Sequence, residues 1–404
     1  MAKSIREQTA ADRGYVDLHE HITALREADL LFEVDREINK DTEMHPLVRW
    51  QYRGGVEEED RKAWLFNTVT DAKGRKYDIP VLVGGLAANS AVYKLGMGCE
   101  LDEIKETWIK ALNNPIDPLE VPFDEAPCHD LVYEGEDLLN GYGVDQIPVP
   151  ISSPGWDNAP YFAASHFITK DPTNGIQNMG NYRAMVKAPN RVGFNPSIEL
   201  RTGGYMHWEE WKKLGKPMPC AIVIGAPPIV SFTAVQKVPE KYDEFQVSGG
   251  LCGKPLNVVK AKTVDILVPA EAEIVIEGYI STDLLEPEAP FGESHGHVNL
   301  QEYNGFMDVT AVTRRKDAVM VSWVSQVTPS ESSAIKRPAY EAAQIEHLRD
   351  HLGIKGIKHV CTHEPLTSLH KLIIAVVDRD MPRTEIWRAL YGIASLRRAE
   401  GKWV

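Results

Sequence analysis

The sequence predicts an α+β chain, with a central block of short strands between two α/β units. Three observations carry this. Apolar residues recur at helical spacing near both ends of the chain. Between about 160 and 315, short apolar or alternating runs are broken by proline and glycine. After 316, strand and helix patterns alternate again. The 404 residues suffice for two or three domains, and we draw them as 1–120, 121–315 and 316–404.

In DLHEHITALREADLLFE (17–33), Leu18, Ile22 and Leu25 have helical spacing. VLVGGLA (81–87) is a short apolar strand ending in glycines, and ELDEIKETWIKALNN (100–114) a helix with a polar stop. From 121 to 160 the chain is rich in proline and glycine, as expected of a linker or an extended wrapping segment. CAIVIGAPPIV (220–230) is an apolar run bounded by prolines. TVDILVPAEAEIVIEG (263–278) alternates, with Glu271, Glu273, Val275 and Glu277 on one phase and Ala272, Ile274 and Ile276 on the other. Such strands suggest a barrel or sandwich core. In the last block AVMVSWVSQV is a strand, RPAYEAAQIEHLRDHLG an amphipathic helix and HKLIIAVVD (370–378) a buried strand. Pro382 opens a further helix, so a parallel α/β unit is expected. The chain ends at GKWV, where the next strand should begin, and a further C-terminal segment is expected.

Apolar residues make up 43% and charged residues 25%, the balance of a soluble globular protein. A net charge of -14 argues against nucleic acid and suits a small ligand held by a few local cations. The five cysteines are widely spaced and form no CxxC, which reads as reduced thiols in a cytoplasmic protein. MAKSIREQTAADRGY has no apolar secretion signal, and no run has the ~20 apolar residues of a membrane span.

Four stretches carry candidate chemistry. His19-Glu20-His21 resembles a metal triplet, but residues two apart on a helix face different ways, so we read an exposed helix face. In EAPFGESHGH (288–297), His295 and His297 would share a face of a strand and could bind metal, though spacing offers no third ligand. Glu288 and Glu293 flank a Pro-Phe-Gly turn that could aim both carboxylates at one pocket. Beside Phe291 such a carboxyl could donate a proton; a surface turn is the alternative. NGIQNMGNYRAMVKAPNR (174–191) places Asn178 and Arg183 five apart, and arginine suits a planar carboxylate. In VPEKYDEFQVSGGLCG (238–253), Glu244 precedes a glycine pair that permits close approach.

Taken in order, these stretches resemble the UbiD family of reversible decarboxylases, which use prenylated FMN. DLHEHITALREADLLFEVDREI, NMGNYRAMVK, MPCAIVIGAPPIV, VPEKYDEFQVSGGLCGKP, VPAEAEIVIEG and EAPFGESHGH all follow the family's order. The resemblance implies a split β-barrel flavin domain between two α/β regions, in a homo-oligomer such as a dimer or hexamer. It implies an Arg-Glu-Glu constellation matching Arg183, Glu288 and Glu293. Arg183 would orient the substrate carboxylate and pair with Glu288, while Glu293, less directly paired, would deliver a proton. It implies a carboxylic acid substrate, CO2, and a flavin prenyltransferase as cofactor supplier.

The family holds the flavin phosphate with a divalent metal (Mn2+, Mg2+ or Fe2+) on an asparagine, a histidine and a glutamate. Asn178 and Glu244 match the first and last, but Arg201 stands at the histidine position. Arginine binds phosphate and not metal; His207 is the nearest replacement ligand by sequence. A potassium site would map to Thr233, Ala234, Gln236 and Glu244. The family also continues past the position of GKWV with a segment that closes the pocket. Three readings stand: a prenylated-FMN decarboxylase of an aromatic or α,β-unsaturated acid or its CoA thioester; a flavin-binding, non-catalytic carboxylase subunit, favoured by Arg201; and a metal-dependent hydrolase using His295 and His297.

Overall fold

The computed structural model describes residues 3–157, 159–196, 201–236, 238, 242–293, 297–325, 328–362 and 372–396. The first unit comprises helix α1 (Leu18–Glu27), strand β1 (Leu31–Val34), α2 (Met44–Arg53), β2 (Ala63–Phe66), β3 (Val81–Val83), α3 (Ser90–Met97) and α4 (Ile104–Asn113). A capping box starts α1: Asp17 accepts the Glu20 N–H and Glu20 the Asp17 N–H. β1 runs parallel to β2, and β2 antiparallel to β3. All three side chains of β3 are buried. Its other edge pairs in parallel with Met320–Ser322, so the first sheet takes a strand from beyond residue 315.

The helix at His19–His21 is present, but its face is not exposed. His21 is buried with Nε2 2.7 Å from the Gly85 carbonyl, and His19 Nε2 lies 3.1 Å from Glu273. α1 sits between the glycine turn after β3 and a carboxylate of the large sheet, with Thr23, Arg26 and Glu27 on its exposed side.

The middle of the chain supplies β4 (Leu131–Glu134), β5 (Tyr161–Phe162), β6 (His166–Lys170), β7 (Gln177–Asn181), β8 (Ala184–Ala188) and β9 (Arg191–Phe194). Helix α5 (Gly203–Lys213), β10 (Met218–Ile224), α6 (Pro228–Ala234), α7 (Glu244–Cys252), β11 (Ile274–Ile280), β12 (Glu286–Glu288) and β13 (Glu302–Arg314) follow. They form a ten-stranded sheet in the order β7-β6-β10-β11-β13-β9-β8-β5, with β4 and β12 also paired to β13. Among the described residues the path does not close on itself. β10 is buried along its whole length, as its apolar run predicts.

The glutamates of the alternating stretch are buried anchors. Glu271 binds Tyr15 and Asn257, Glu273 binds His19 and the Val319 N–H, and Glu277 takes the N–H groups of Lys262 and Thr263. All three are buried, and burial pushes each carboxyl above its ordinary range. The Gly249-Gly250 pair permits a close approach between helices. It lies inside α7, where a Cβ on Gly250 would stand 3.0 Å from the Ala111 backbone of α4.

The last block holds β14 (Met320–Ser322), α8 (Arg337–Glu346), β15 (Ile357–Thr362), β16 (Ile373–Val377) and α9 (Arg383–Ser395), with Pro382 at the start of α9 as expected. Among the described residues of this block the expected parallel unit is not formed. β15 and β16 pair antiparallel, because the sequence between them is too short for a crossover helix. β16 is half exposed, with Ile374 and Val376 facing outward. The Glu331 carboxylate ties this block to the first sheet. It accepts the N–H groups of Gly84 and Leu86 at 2.9 and 3.0 Å and that of Ala87 at 3.4 Å. Glu331→Ala leaves these donors without an acceptor, so urea unfolding should show a loss of about 3 kcal/mol. The exposed Glu57→Ala should stay within about 0.5 kcal/mol of the wild type.

Candidate active site

Arg183 leads from β7 into β8, and two carboxylates converge on it. Its Nε and Nη2 donate to the two oxygens of Glu288 at 3.0 and 2.8 Å, and its Nη1 donates to Glu293. Burial works against the guanidinium charge. The hydrogen bonds and charges of Glu288 and then Glu293 outweigh it and hold the group firmly protonated. The Arg183 guanidinium also lies 5.5 Å from the centre of the Phe291 ring.

The two glutamates differ in surroundings. Glu288 ends β12, and its Oε2 also accepts Asn304 and Asn195 at 2.6 and 3.0 Å. Its side chain is 2% exposed, against 23% for Glu293. Glu288 is therefore locked, while Glu293 has a route to solvent. Glu293 was expected to be less directly paired. It is paired to Arg183 through one oxygen, and Asn299 approaches that oxygen at 3.4 Å.

The backbone that brings them together differs from the predicted turn. Phe291–Gly292 is a short strand paired with Val298–Asn299, and the Glu293 N–H donates to the His297 carbonyl at 2.9 Å. Gly292 is needed for closeness: a Cβ there would meet Ser153 Oγ at 2.5 Å. Asp157 fixes this contact, accepting the Gly292 N–H at 2.7 Å and the Ser153 N–H at 2.9 Å. Sequence reasoning missed Asp157, Asn195 and Asn304, since they lie on separate segments and no spacing links them. His297 is exposed, and His295 lies outside the described residues. Among the described residues no three His, Cys, Asp or Glu side chains form a metal cluster.

A second group of predicted residues gathers at the other end of β7. Asn178 lies against the start of α5: a Cβ on Gly203 would fall 1.8 Å from its Oδ1, so only glycine fits. The Gly204 N–H donates to the Tyr182 hydroxyl at 3.0 Å. The Asn178 amide nitrogen is buried with no partner among the described residues. Glu244 begins α7, is buried, and accepts the Met179 N–H at 2.6 Å. Burial pushes its carboxyl up to about 8. Thr233, at the end of α6, bonds Ser248 Oγ at 2.7 Å, and Ser248 donates to the Glu244 carbonyl. Ala234 ends the same helix, and Gln236 donates to the Lys336 carbonyl at 3.2 Å.

Arg201 does not join this group through any contact among the described residues. It has φ +45°, is exposed, and approaches Glu209 at 3.4 Å. His207 is buried one turn into α5, with Nδ1 2.8 Å from Thr169 Oγ1, and burial lowers its pKa. Thr169 is the cross-strand partner of Asn178, so His207 approaches the same face of the sheet.

Residues 120–327 match the family model described as UbiD, the 3-octaprenyl-4-hydroxybenzoate carboxy-lyase Rift-related domain. The chain belongs to the UbiD family of carboxy-lyases. Solved UbiD-class structures superimpose over nearly all of it. An evolved dimeric form of HmfF from Pelotomaculum thermopropionicum, in complex with prFMN, is 26% identical with a TM-score of 0.82, covering 94% of this chain and 82% of that one. HmfF in complex with FMN is 25% identical at 0.82, covering 94% and 79%. Vanillic acid decarboxylase of Sedimentibacter hydroxybenzoicus in closed form shares the fold at 21% identity and 0.82, covering 95% and 78%. No helix among the described residues is long and apolar enough to cross a membrane.

Asp157 gives this site a pH signature. Burial pushes its carboxyl up to about 6, against the donors from Gly292 and Ser153. The folded protein thus keeps this proton to higher pH than the unfolded chain, whose carboxyl titrates near 3.8. Its stabilising contribution is present below that value and lost as pH rises through about 6. Urea unfolding should show wild type losing stability relative to Asp157→Asn across this interval, then a level difference above it.

Proposed function

We propose that this UbiD-family enzyme carries out the reversible, non-oxidative decarboxylation of an aromatic or α,β-unsaturated carboxylic acid, or of its CoA thioester, with prenylated FMN. The observation that carries the reading is the Arg183 guanidinium held between Glu288 and Glu293. Arg183 orients the substrate carboxylate. Glu288, locked by Arg183 and two asparagines, keeps the guanidinium in place. Glu293, the one with solvent access, delivers a proton to the carbon that CO2 leaves and regains it from solvent. Carboxylation is the same path reversed. When bound, prenylated FMN supplies the electron sink for the charge left by CO2.

The ten-stranded sheet, as a split barrel over about 121–315, would be the flavin domain. Asn178 and Glu244 would hold a divalent ion beside the flavin phosphate. The buried amide without a partner and the adjacent carboxylate are hard ligands, and the glycine start of α5 leaves room for an anion at the helix end. Thr233, Ala234, Gln236 and Glu244 would hold potassium. Arg201 and His207 remain the alternatives for phosphate and for a third metal ligand. A flavin prenyltransferase would supply the cofactor, and a homo-oligomer would be the working form.

The test is protein produced alongside a flavin prenyltransferase, read by absorption and by mass spectrometry of the released cofactor. Wild type should carry prenylated FMN at near one per chain. Glu293→Gln should carry the same cofactor and lose at least about a hundredfold in turnover. A wild type without flavin contradicts the reading, and loss of flavin in Glu293→Gln gives Glu293 a structural role.

A further inference from the structure

Helix α2 carries a stripe of side chains that reaches across to later parts of the chain. His45, Arg49 and Arg53 recur at four-residue spacing, so they line one face of the helix. Each grips a different segment. His45 Nε2 lies 3.0 Å from Ser322 Oγ at the end of β14. Arg49 donates to the Ser152 carbonyl at 3.0 Å, and Arg53 to the Thr328 carbonyl at 3.1 Å. The middle contact leads to Glu293.

Ser152 and Ser153 share one peptide group. Arg49 holds its carbonyl, and Asp157 Oδ2 accepts its N–H at 2.9 Å. The loop closes on itself, since the Asp157 N–H returns to the Ser153 carbonyl at 2.9 Å. Both serines and Asp157 are buried. One carboxylate oxygen is thus used inside the loop, and the other accepts the Gly292 N–H at 2.7 Å. The next residue is Glu293, whose own N–H donates to the His297 carbonyl at 2.9 Å. Two consecutive N–H groups are therefore fixed just where the Glu293 side chain leaves the backbone toward Arg183. The charge of Arg49 also favours the ionised form of Asp157, which is the stronger acceptor.

We infer that Asp157 and Arg49 are positioning residues for Glu293: through the Ser152–Ser153 peptide and the Gly292 N–H they fix the backbone from which its carboxylate reaches Arg183. The inference rests on the decarboxylase reading, in which Glu293 delivers the proton. A reacting group misplaced by about 1 Å can cost about a hundredfold in rate. Glu288 is held at its side chain by Asn195 and Asn304, so its place does not depend on this loop. Glu293 takes its place from the backbone, and the N-terminal unit sets that backbone through α2.

The test measures how strongly Arg183 and Glu293 are coupled, in protein produced alongside a flavin prenyltransferase. Arg183→Met and Glu293→Gln are combined in a double-mutant cycle on urea unfolding, in the wild type and again with Asp157→Asn present. The pH is kept above about 6, where Asp157 is ionised. Asparagine keeps one acceptor oxygen and loses the other. Asp157→Asn should remove at least about half of the Arg183–Glu293 coupling and leave that of Arg183 with Glu288 unchanged. A merely structural role would lower stability without this selectivity. Arg49→Met should remove a smaller part, and Arg49→Lys, which keeps a donor for the Ser152 carbonyl, should restore it. If Asp157→Asn does not fold, the two Arg49 variants carry the same comparison. An unchanged Arg183–Glu293 coupling in the folded variants overturns the inference, as does an equal loss of coupling to Glu288. A wild type without flavin removes the decarboxylase reading instead, and the cycles still decide what Asp157 and Arg49 hold in place.

Discussion

The site depends on one guanidinium shared by two carboxylates. Arg183 is mostly buried, its side chain 10% exposed, and such a cation persists only where partners compensate for lost water. Glu288 does so with both oxygens and is itself fixed by Asn195 and Asn304. Glu293 takes one further donor and stays partly open to solvent. This inequality, set by burial and donor count, separates a locked carboxylate from one that can exchange protons.

The rest of the fold places that arrangement. β7 and the turn into β8 carry Asn178 at one end and Arg183 at the other, so a single stretch of backbone joins the Asn178–Glu244 group to the Arg183 triad. β12 and the short strand at Phe291–Gly292 bring in the two glutamates. Asp157 clamps the second of these from a segment that carries few regular elements. Glu271 and Glu273 hold Tyr15 and His19, and Glu331 holds the turn after β3, so all three blocks of sequence are tied together by buried carboxylates.

Much of this was legible in the sequence, because helical and alternating periods report local structure directly. α1, α4, β10, β11 and α9 follow from spacing, and Arg183, Glu288 and Glu293 follow from motifs in a recognisable order. What was hidden depends on contacts between distant segments. His21 reads as part of an exposed helix face in sequence, yet it is buried against Gly85, and Glu271 and Glu273 are buried against Tyr15 and His19 at the other end of the chain. The antiparallel pairing of β15 with β16 was missed because IKHVCT, with one buried residue in six, was not read as a strand. Asn195 and Asp157 gave no local signal, since their partners Glu288 and Gly292 lie 93 and 135 residues away.

The most direct test of the account is a pair of double-mutant cycles on unfolding free energy, coupling Arg183→Met with Glu288→Gln and with Glu293→Gln. The shared-guanidinium account predicts coupling of about 2 kcal/mol or more to Glu288 and a smaller, non-zero coupling to Glu293. Coupling near zero for both pairs, or larger for Glu293 than for Glu288, would contradict it.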